Sequence, residues 1–178
     1  MPSTRAVDSI PPRYPPLRGG TRLNWPREAM EDNAREIENP ITGERIVFRR
    51  TAADTDGELL ELDDFWVRPD HQVPEHLHPE MEERWEVIEG AARFHIGGSE
   101  VSAAPGDVVV APPGTAHSTA NAAGGPTHVR IQMRPALRWE EFVVRLFQAA
   151  RDGQTDERGV PNAELLREFH RELAPPPG

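Results

Sequence analysis

The sequence predicts a mainly β protein, a sandwich or barrel of short strands followed by α-helices at its C-terminal end. Between residues 44 and 134, short strand-like runs follow one another and are separated by turns that contain Gly or Pro. No helical pattern interrupts these runs, which is typical of antiparallel sandwiches and barrels. After Pro135 the apolar residues recur three and four positions apart, which is the period of a helix. At 178 residues, the chain is long enough for one ordinary domain with a core.

The N-terminal part of the chain is expected to stand apart from the barrel. Residues 1–24 are rich in proline, which predicts an extended or disordered leader, or an arm that packs across a dimer partner. A short helix is predicted over residues 25–36, because Pro26 suits the first turn of a helix. Residues 39–43 are typical of a hairpin connection between two strands. The predicted barrel domain spans residues 25–135.

The predicted strands are short runs rich in apolar and β-branched residues, several of which alternate with polar residues. Turn residues bound them, among them Gly90, the pair Gly97-Gly98 and the pair Pro105-Gly106. The predicted strands cover residues 44–50, 58–67, 84–89, 93–96, 100–103, 108–111, 118–120 and 127–134.

Two helices are predicted beyond the barrel. The first carries apolar residues on one helical face from Leu137 to Ala150, and Gly153 marks its end. The second is predicted over residues 162–173, between two prolines. We expect the region 136–178 to pack on the barrel or on a dimer partner.

The composition excludes several classes of function. The 20 cationic residues are all Arg and face 30 Asp and Glu, which argues against nucleic acid or an anionic membrane as a partner. No apolar run is long enough to span a membrane, and no apolar segment near the start is typical of a secretory signal, so a cytoplasmic protein is expected. The lack of Cys and Lys excludes a thiolate nucleophile and a lysine Schiff base. The one tyrosine, Tyr14, lies in the leader, so no tyrosine acid is expected in the core.

Three histidines and an acid have the spacing of metal ligands. His76 and His78 lie two apart, so on a strand their side chains leave the same face. Among the acids that follow, Glu83 shares its strand face with the apolar Trp85 and is therefore the inward carboxylate. A Pro- and Gly-containing turn then brings His117 back towards the first pair. Three imidazoles and one carboxylate are a ligand set for a divalent transition metal.

The other polar residues near this set are expected to have different roles. Asn121 shares a strand face with His117 and is expected to form hydrogen bonds that orient the loop or a ligand. His71 is expected in a surface loop, with a place at the pocket mouth as the alternative. The remaining acids and histidines are expected to point to solvent or to have no role; they are Glu80, Glu82, Glu86, His95, His128 and His170.

The two polar segments resemble the two sequence motifs of the cupin superfamily. The second motif, G-x5-P-x-G-x2-H-x3-N, is matched at every position between Gly106 and Asn121. The first motif, G-x5-H-x-H-x3,4-E-x6-G, is matched from His76 to Gly90. It departs at its opening glycine, where Asp70 stands, and this leaves every ligand in place.

The resemblance implies a single small antiparallel cupin barrel of the jelly-roll type. It also implies one divalent metal ion, held by His76, His78, Glu83 and His117. Fe(II) or Mn(II) would suit oxygen activation, whereas Zn or Ni would suit Lewis-acid chemistry. Cupin-like proteins are often dimers, so a homodimer is expected.

The leading hypothesis for function is a mononuclear non-haem metal oxygenase, similar to a dioxygenase, that acts on a small apolar or aromatic molecule. The alternatives are a non-redox metal-dependent isomerase, lyase or cyclase, and a metal-containing module that binds a small molecule without turnover. No catalytic residue is assigned beyond the metal ligands. The residues expected in the pocket or in its support are Asn121, Trp85, Phe94, Arg130, Gln132 and Met133.

Overall fold

The computed structural model describes residues 35–176, which form ten β-strands and two α-helices. The strands are β1 (Glu36–Glu38), β2 (Glu44–Arg50), β3 (Leu60–Trp66), β4 (Gln72–His76), β5 (Glu82–Glu89), β6 (Ala92–Ile96), β7 (Ser99–Ala103), β8 (Val108–Ala111), β9 (His117–Asn121) and β10 (Thr127–Arg134). The helices are α1 (Trp139–Arg151) and α2 (Ala163–Glu168).

The strands form two antiparallel sheets. One sheet has six strands in the order β1-β2-β3-β10-β5-β8, and the other has four in the order β4-β9-β6-β7. Strands far apart in sequence, such as β3 and β10, are neighbours in the larger sheet. The predicted antiparallel jelly-roll barrel with C-terminal helices is therefore confirmed.

Alternation along the strands decides which side chains enter the barrel. On β5, Glu83 and Trp85 are buried while Glu82 and Glu86 are only partly buried. The inward position predicted for Glu83 is thus confirmed, because successive side chains on a strand point to opposite faces.

Two glycines of the cupin motifs stand where a side chain would not fit or would be strained. Gly90 has φ of +85°, and a Cβ atom there would lie 2.8 Å from the Pro126 carbonyl oxygen. Gly114 has φ of +73°, and its N–H donates to the His78 carbonyl at 2.8 Å. The left-handed backbone at both positions favours glycine. The second turn is thereby tied to the segment that carries His78.

The first motif keeps its turn although it lacks the opening glycine. Asp70 lies in a turn closed by the His71 N–H, which donates to the Arg68 carbonyl at 3.2 Å. The backbone of Asp70 does not have a positive φ, so no glycine is required there.

The first predicted helix of the C-terminal region is confirmed. On α1, the buried side chains include Phe142, Val143 and Phe147, and all three belong to the main hydrophobic core. Gly153 follows the helix with φ of +70°. Neither helix within residues 35–176 is long and apolar enough to cross a membrane.

The second helix is shorter than predicted and ends at Glu168 rather than near residue 173. Its N-cap is Asn162, whose side chain accepts hydrogen bonds from the N–H groups of Glu164 and Leu165. Beyond the helix, Ala174 forms a two-way backbone bridge with Leu77. The segment after α2 is therefore attached to the strand end that carries the histidine pair.

The N-terminal predictions lie mostly outside the described residues. The leader over residues 1–24 and most of the helix predicted over 25–36 cannot be compared with the structure. Where they overlap, the helix prediction is wrong, because Glu36 begins β1. The hairpin predicted at residues 39–43 is confirmed, since β1 pairs with β2 in antiparallel register.

Candidate metal centre

The four residues with metal-ligand spacing meet at one point inside the barrel. One potential ligand atom from each of His76, His78, Glu83 and His117 lies within 4.8 Å of the others. The Glu83 Oε2 atom is 2.8 Å from His78 Nε2 and 3.1 Å from His117 Nε2. His76 ends β4 and His117 begins β9, and the two are partners in the strand register. Strand pairing therefore brings the ends of the two motifs together.

Each histidine ring is oriented by a backbone carbonyl. His76 Nδ1 donates to the carbonyl of Pro74 and His117 Nδ1 donates to that of Thr115, both at 2.8 Å. His78 Nδ1 donates to the Glu172 carbonyl, which lies beyond α2. Because Nδ1 carries the proton in each ring, the Nε2 atoms present lone pairs. A carbonyl partner on the second nitrogen is the usual arrangement around metal-bound histidines.

The centre of the cluster therefore holds acceptors that face acceptors. In the neutral tautomers set by the carbonyls, His78 Nε2 and His117 Nε2 have no proton to donate to the Glu83 oxygen. A cation between them, either a proton or a metal ion, resolves this arrangement. The donor set of three imidazoles and one carboxylate fits a divalent transition metal.

The electrostatics of the cluster agree with a bound cation. Burial opposes ionisation of Glu83, but the neighbouring His78 and His117 outweigh it and hold the Glu83 pKa well below its usual range. Burial lowers the pKa of His117, but the hydrogen bond and charge of Glu83 raise it above the ordinary value. Burial and the two other histidines lower the pKa of His76 to about 4. These shifts favour a positive charge beside the Glu83 carboxylate, where a metal ion would bind.

One side of the cluster opens into a cavity of about 600 Å³. His76 and Glu83 line this cavity, which lies between the inner faces of the strands and the C-terminal helices. Cavities of this size hold small molecules. Most of the wall is apolar, and its larger side chains are Leu62, Trp66, Trp85, Trp139, Phe142 and Leu146.

The C-terminal helices complete the cavity rather than leaving it open. Trp139, at the start of α1, packs edge-on against the His78 ring with 4.7 Å between ring centroids. Leu166 and Leu173 line the cavity from the segment around α2. The helical region thus contributes both a wall of the cavity and the carbonyl that orients His78.

Several residues predicted for the pocket lie elsewhere, although Trp85 does line it. Phe94 is fully buried behind Trp85, with ring centroids 5.1 Å apart. Arg130 and Gln132 lie on the outer face of β10, where they bind Asp63 and Glu61. The physical reason is alternation, because Ile131 between them is the residue that faces the cavity.

Met133 and Asn121 also lie away from the cavity. Met133 is fully buried in the main core. The Asn121 amide group donates to the carbonyls of Arg68 and Gly125, and its oxygen accepts from the Ala123 N–H. Asn121 therefore orients two loops, as one of its two expected roles requires, and it does not contact the cavity.

The predictions for the other histidines have mixed outcomes. His95 is exposed and pairs with Glu100 at 3.4 Å, as predicted for an outward residue. His128 points outward but is covered, because it stacks on Phe65 with ring centroids 4.3 Å apart. The surface position expected for His71 is wrong, since this residue is only 4% exposed, and the alternative of a place at the pocket agrees with its position in the cavity lining.

Several polar residues that line the cavity were not among the predicted site residues, and the acids Glu44 and Asp64 are two of them. The acids carry the same signal that identified Glu83, because each shares a strand face with cavity-lining apolar residues two positions away. Ile46 follows Glu44 in this way, and Leu62 precedes Asp64. No comparable pattern marks His71, which precedes its strand.

The fold and the histidine–glutamate cluster define a barrel of the cupin class with a candidate metal centre. Residues 65–131 match the model of the cupin domain family, so the chain contains a cupin domain. The family indicated by the two motifs is therefore confirmed. No protein of curated function matches the sequence.

Solved structures with the same fold come from several bacteria. A cupin of the RmlC-like type from Shewanella frigidimarina is 15% identical, covers 61% of this chain and 89% of its own, and has a TM-score of 0.51. A protein with a double-stranded β-helix domain from Klebsiella pneumoniae is 26% identical over 46% of this chain and 70% of its own, with a TM-score of 0.42. A predicted oxalate decarboxylase from Thermotoga maritima is 20% identical over 57% of this chain and 91% of its own, with a TM-score of 0.48. The likeness to the Shewanella frigidimarina structure concerns the fold and not the reaction.

Proposed function

We propose that the protein is a metal-dependent cupin enzyme that acts on a small, largely apolar molecule. The observation that carries this proposal is the cluster of His76, His78, Glu83 and His117, whose lone pairs converge beside an apolar cavity. A surface cluster of acids and histidines would not need three carbonyls to orient its rings. Here each ring is oriented, and the group opens towards a space that suits a substrate.

The residues around the cavity would bind and position the substrate. Trp66, Trp85 and Trp139 provide flat apolar walls, and residues of the helical region form one side of the cavity. A divalent metal bound by the four residues would supply Lewis-acid chemistry, or redox chemistry in the case of iron or manganese. Four protein ligands leave one or two positions of an octahedral site for substrate or water.

The reaction class that we propose is a mononuclear non-haem oxygenation of an apolar or aromatic substrate. The apolar lining of the cavity supports this class, because it suits an apolar or aromatic substrate. The test compares iron-loaded protein with zinc-loaded protein over a panel of phenols and diketones. Oxygen uptake with iron alone would support oxygenation, whereas turnover with zinc under nitrogen would contradict it.

A second candidate, a non-redox isomerase, lyase or cyclase, is favoured by one specific observation. The cavity contains acid–base groups other than the four cluster residues, among them Glu44, Asp64 and His71. Such reactions move protons, and positioned carboxyl and imidazole groups are the usual means. If mass spectrometry shows tight binding of small molecules but no product under either condition, both enzymatic proposals fail and a binding module remains. The expected homodimer and cytoplasmic location stay predictions.

Metal binding itself is tested with Glu83→Gln, which keeps the shape of the side chain and removes its charge. We expect the affinity for Mn(II) or Zn(II) to fall at least about 100-fold, or about 2.7 kcal/mol, by isothermal titration calorimetry. His95→Ala removes an exposed histidine and serves as the control with unchanged affinity. Equal affinity of both variants would contradict the proposed centre.

The same titration should release protons. Glu83 Oε2 lies 2.8 Å from His78 Nε2 and 3.1 Å from His117 Nε2, so we expect a shared proton there in the metal-free protein, and a metal ion would displace it. Titration at neutral pH in two buffers with different ionisation enthalpies should therefore show release of about one proton per metal ion. A heat of binding that is independent of the buffer would argue against this site.

A further inference from the structure

A second polar cluster lies in the same cavity and has no part in the proposed metal centre. Glu44 on β2 and Asp64 on β3 point inward and line the cavity, together with Trp66. The Trp66 indole N–H donates to Asp64 Oδ2 at 2.8 Å. A face of the Trp66 ring stacks on His71, with ring centroids 5.1 Å apart and planes 16° apart. Trp66 therefore joins an acidic pair to a histidine along one wall of the cavity.

His71 is a buried polar side chain that lacks a partner. It is 4% exposed, and neither of its ring nitrogens has a hydrogen-bond partner within residues 35–176. Burial lowers the pKa of His71 to about 4, although the charge of Asp70 opposes this, so the ring is neutral. The Thr119 hydroxyl, in a side chain that is 5% exposed, also lines the cavity without a partner among the described residues. Buried polar atoms without partners are costly, and in a cavity a ligand can satisfy them.

The acidic pair lacks a cation. Asp64 is 3% exposed and Glu44 is partly buried, and no arginine or histidine in the described part of the chain forms an ion pair with either. Buried acids in proteins are usually paired. Burial raises the pKa of Glu44 to about 7, and burial together with the charge of Glu44 raises that of Asp64. The second carboxyl oxygen of Asp64, Oδ1, has no hydrogen-bond partner within residues 35–176. Among the described residues no ion pair offsets the negative potential of this pair, and a proton or a cationic ligand would offset it.

These observations exclude one class of ligand and favour another. An anionic group at this wall would be repelled by Glu44 and by Glu83, whose charges act on the same region. A neutral hydroxyl group would satisfy hydrogen bonds but would leave the carboxylate charge unpaired. A protonated amine supplies three N–H donors and the missing charge. The apolar walls then require that the amine have a compact apolar or aromatic body.

We propose that Glu44, Asp64 and His71 form a subsite that binds the amino group of the small molecule in the cavity. In this arrangement the ammonium donates to the carboxyl pair, and a nitrogen of the neutral His71 ring accepts a further hydrogen bond. The inference rests on the proposed function for the view that the cavity holds a substrate. Amine binding itself requires no metal, so the two can be tested apart.

The experiment measures the binding of three matched probes to metal-free protein by calorimetry and ligand-observed NMR at pH 7.5. Benzylamine, benzyl alcohol and benzoate share an aromatic body and differ in the polar group. We expect benzylamine to bind at least about 10-fold more tightly than benzyl alcohol, and benzoate to bind most weakly. Benzyl alcohol that binds as tightly as benzylamine would overturn the proposal.

Variants then locate the binding. Glu44→Gln should lower the affinity for benzylamine at least about 10-fold and leave the affinity for benzyl alcohol nearly unchanged. Glu61→Gln is the matched control, because it removes the same charge from the outer face of β3, where Glu61 binds Gln132. Equal effects of the two substitutions would contradict the subsite.

A second variant guards against a folding defect. His71→Phe keeps a ring against Trp66 and removes both nitrogens, and we expect benzylamine to bind about 3-fold or more weakly. Benzylamine binding that depends on Glu44 in a protein that binds no metal would support the subsite and overturn the metal proposal. If metal binding is normal and neither substitution changes the affinity for benzylamine, the subsite proposal is overturned and the metal proposal stands.

Discussion

Two consecutive aspartates on β3, Asp63 and Asp64, are almost equally buried and have opposite surroundings. They are 0% and 3% exposed, yet alternation sends them to opposite faces of the six-stranded sheet. Asp63 faces outward and accepts hydrogen bonds from Arg49 and Arg130 at 2.6 and 2.9 Å. Asp64 faces the cavity and has the Trp66 indole and the Glu44 carboxyl as neighbours.

The difference shows that the neighbours, and not burial, decide the charge of these acids. Burial opposes ionisation of both. At Asp63 the hydrogen bonds from His128, Arg130 and Arg49 outweigh burial and hold its pKa well below the usual range. At Asp64 burial and the charge of Glu44 act in the same direction and raise the pKa. On the outer face of the sheet, Asp63 is paired with arginines. On the inner face, Glu44 and Asp64 have no ion-pair partner among the described residues.

Asp63→Asn should have the largest effect on stability. The substitution leaves Arg49 and Arg130 without their shared carboxylate, and breaking a buried ion pair costs about 3–5 kcal/mol. Because the side chains of Arg49 and Arg130 are 19% and 35% exposed, we expect a loss of about 2–3 kcal/mol. Urea unfolding of the metal-free protein at pH 7 measures it. A loss below about 0.5 kcal/mol would show that solvent already satisfies the arginines.

The pH dependence of the free energy of unfolding should have opposite signs for Glu44 on the inner face of the sheet and Asp63 on its outer face. Glu44 binds its proton with a pKa of about 7 in the native state and near 4.5 when unfolded, so the native state holds more protons between these values. Its contribution to stability therefore falls as the pH rises through this window, by up to about 1.4 kcal/mol per pH unit. Asp63 has a lowered pKa, so its contribution is present above pH 3.8 and is lost as the pH falls further.

Unfolding of metal-free wild type and Glu44→Gln from pH 5 to 8 tests this sign. The variant cannot ionise at this position, so its free energy of unfolding should decline much less between pH 5 and 7 than that of the wild type. Identical slopes in the two proteins would mean that Glu44 titrates normally in the native state.

Asp64→Asn should have the smallest effect, in the opposite direction to Asp63→Asn. The amide keeps an oxygen that can accept from Trp66 and removes an acid whose ionisation is costly in the cavity. We expect the free energy of unfolding at pH 8 to rise by up to about 1 kcal/mol. A loss of 2 kcal/mol or more, roughly the effect of breaking a buried ion pair, would indicate an ionic partner for Asp64.

The four cluster residues could be predicted from sequence because their signals are local. The spacing of His76 and His78, the alternation that selects Glu83 and the turn before His117 all act within a few residues. The pocket could not be predicted in the same way. Its walls come from strands and helices distant in sequence, so Arg130 appeared as accessible to the pocket as its inward neighbour Ile131 until the register was known.

The burial of His71 could not be predicted from the sequence for a related reason. The residue precedes its strand, where no period tells inside from outside, and its burial depends on stacking against Trp66 from another strand. The C-terminal segment was likewise expected to pack on the barrel or on a dimer partner. Its pairing with Leu77 and its carbonyl contact with His78 are long-range and leave no mark in the local sequence.

The sequence by itself determined the barrel, the faces of its strands and the four residues of the candidate metal centre. Periodicity and turn chemistry depend on residues that are near neighbours in the sequence, so the sequence alone reveals them. Only the tertiary structure decided which inward acid is neutralised. Glu83 and Asp64 carry the same local pattern, but histidines converge on Glu83 whereas Asp64 meets another acid. Charge interactions depend on distance in space, which only the folded chain defines.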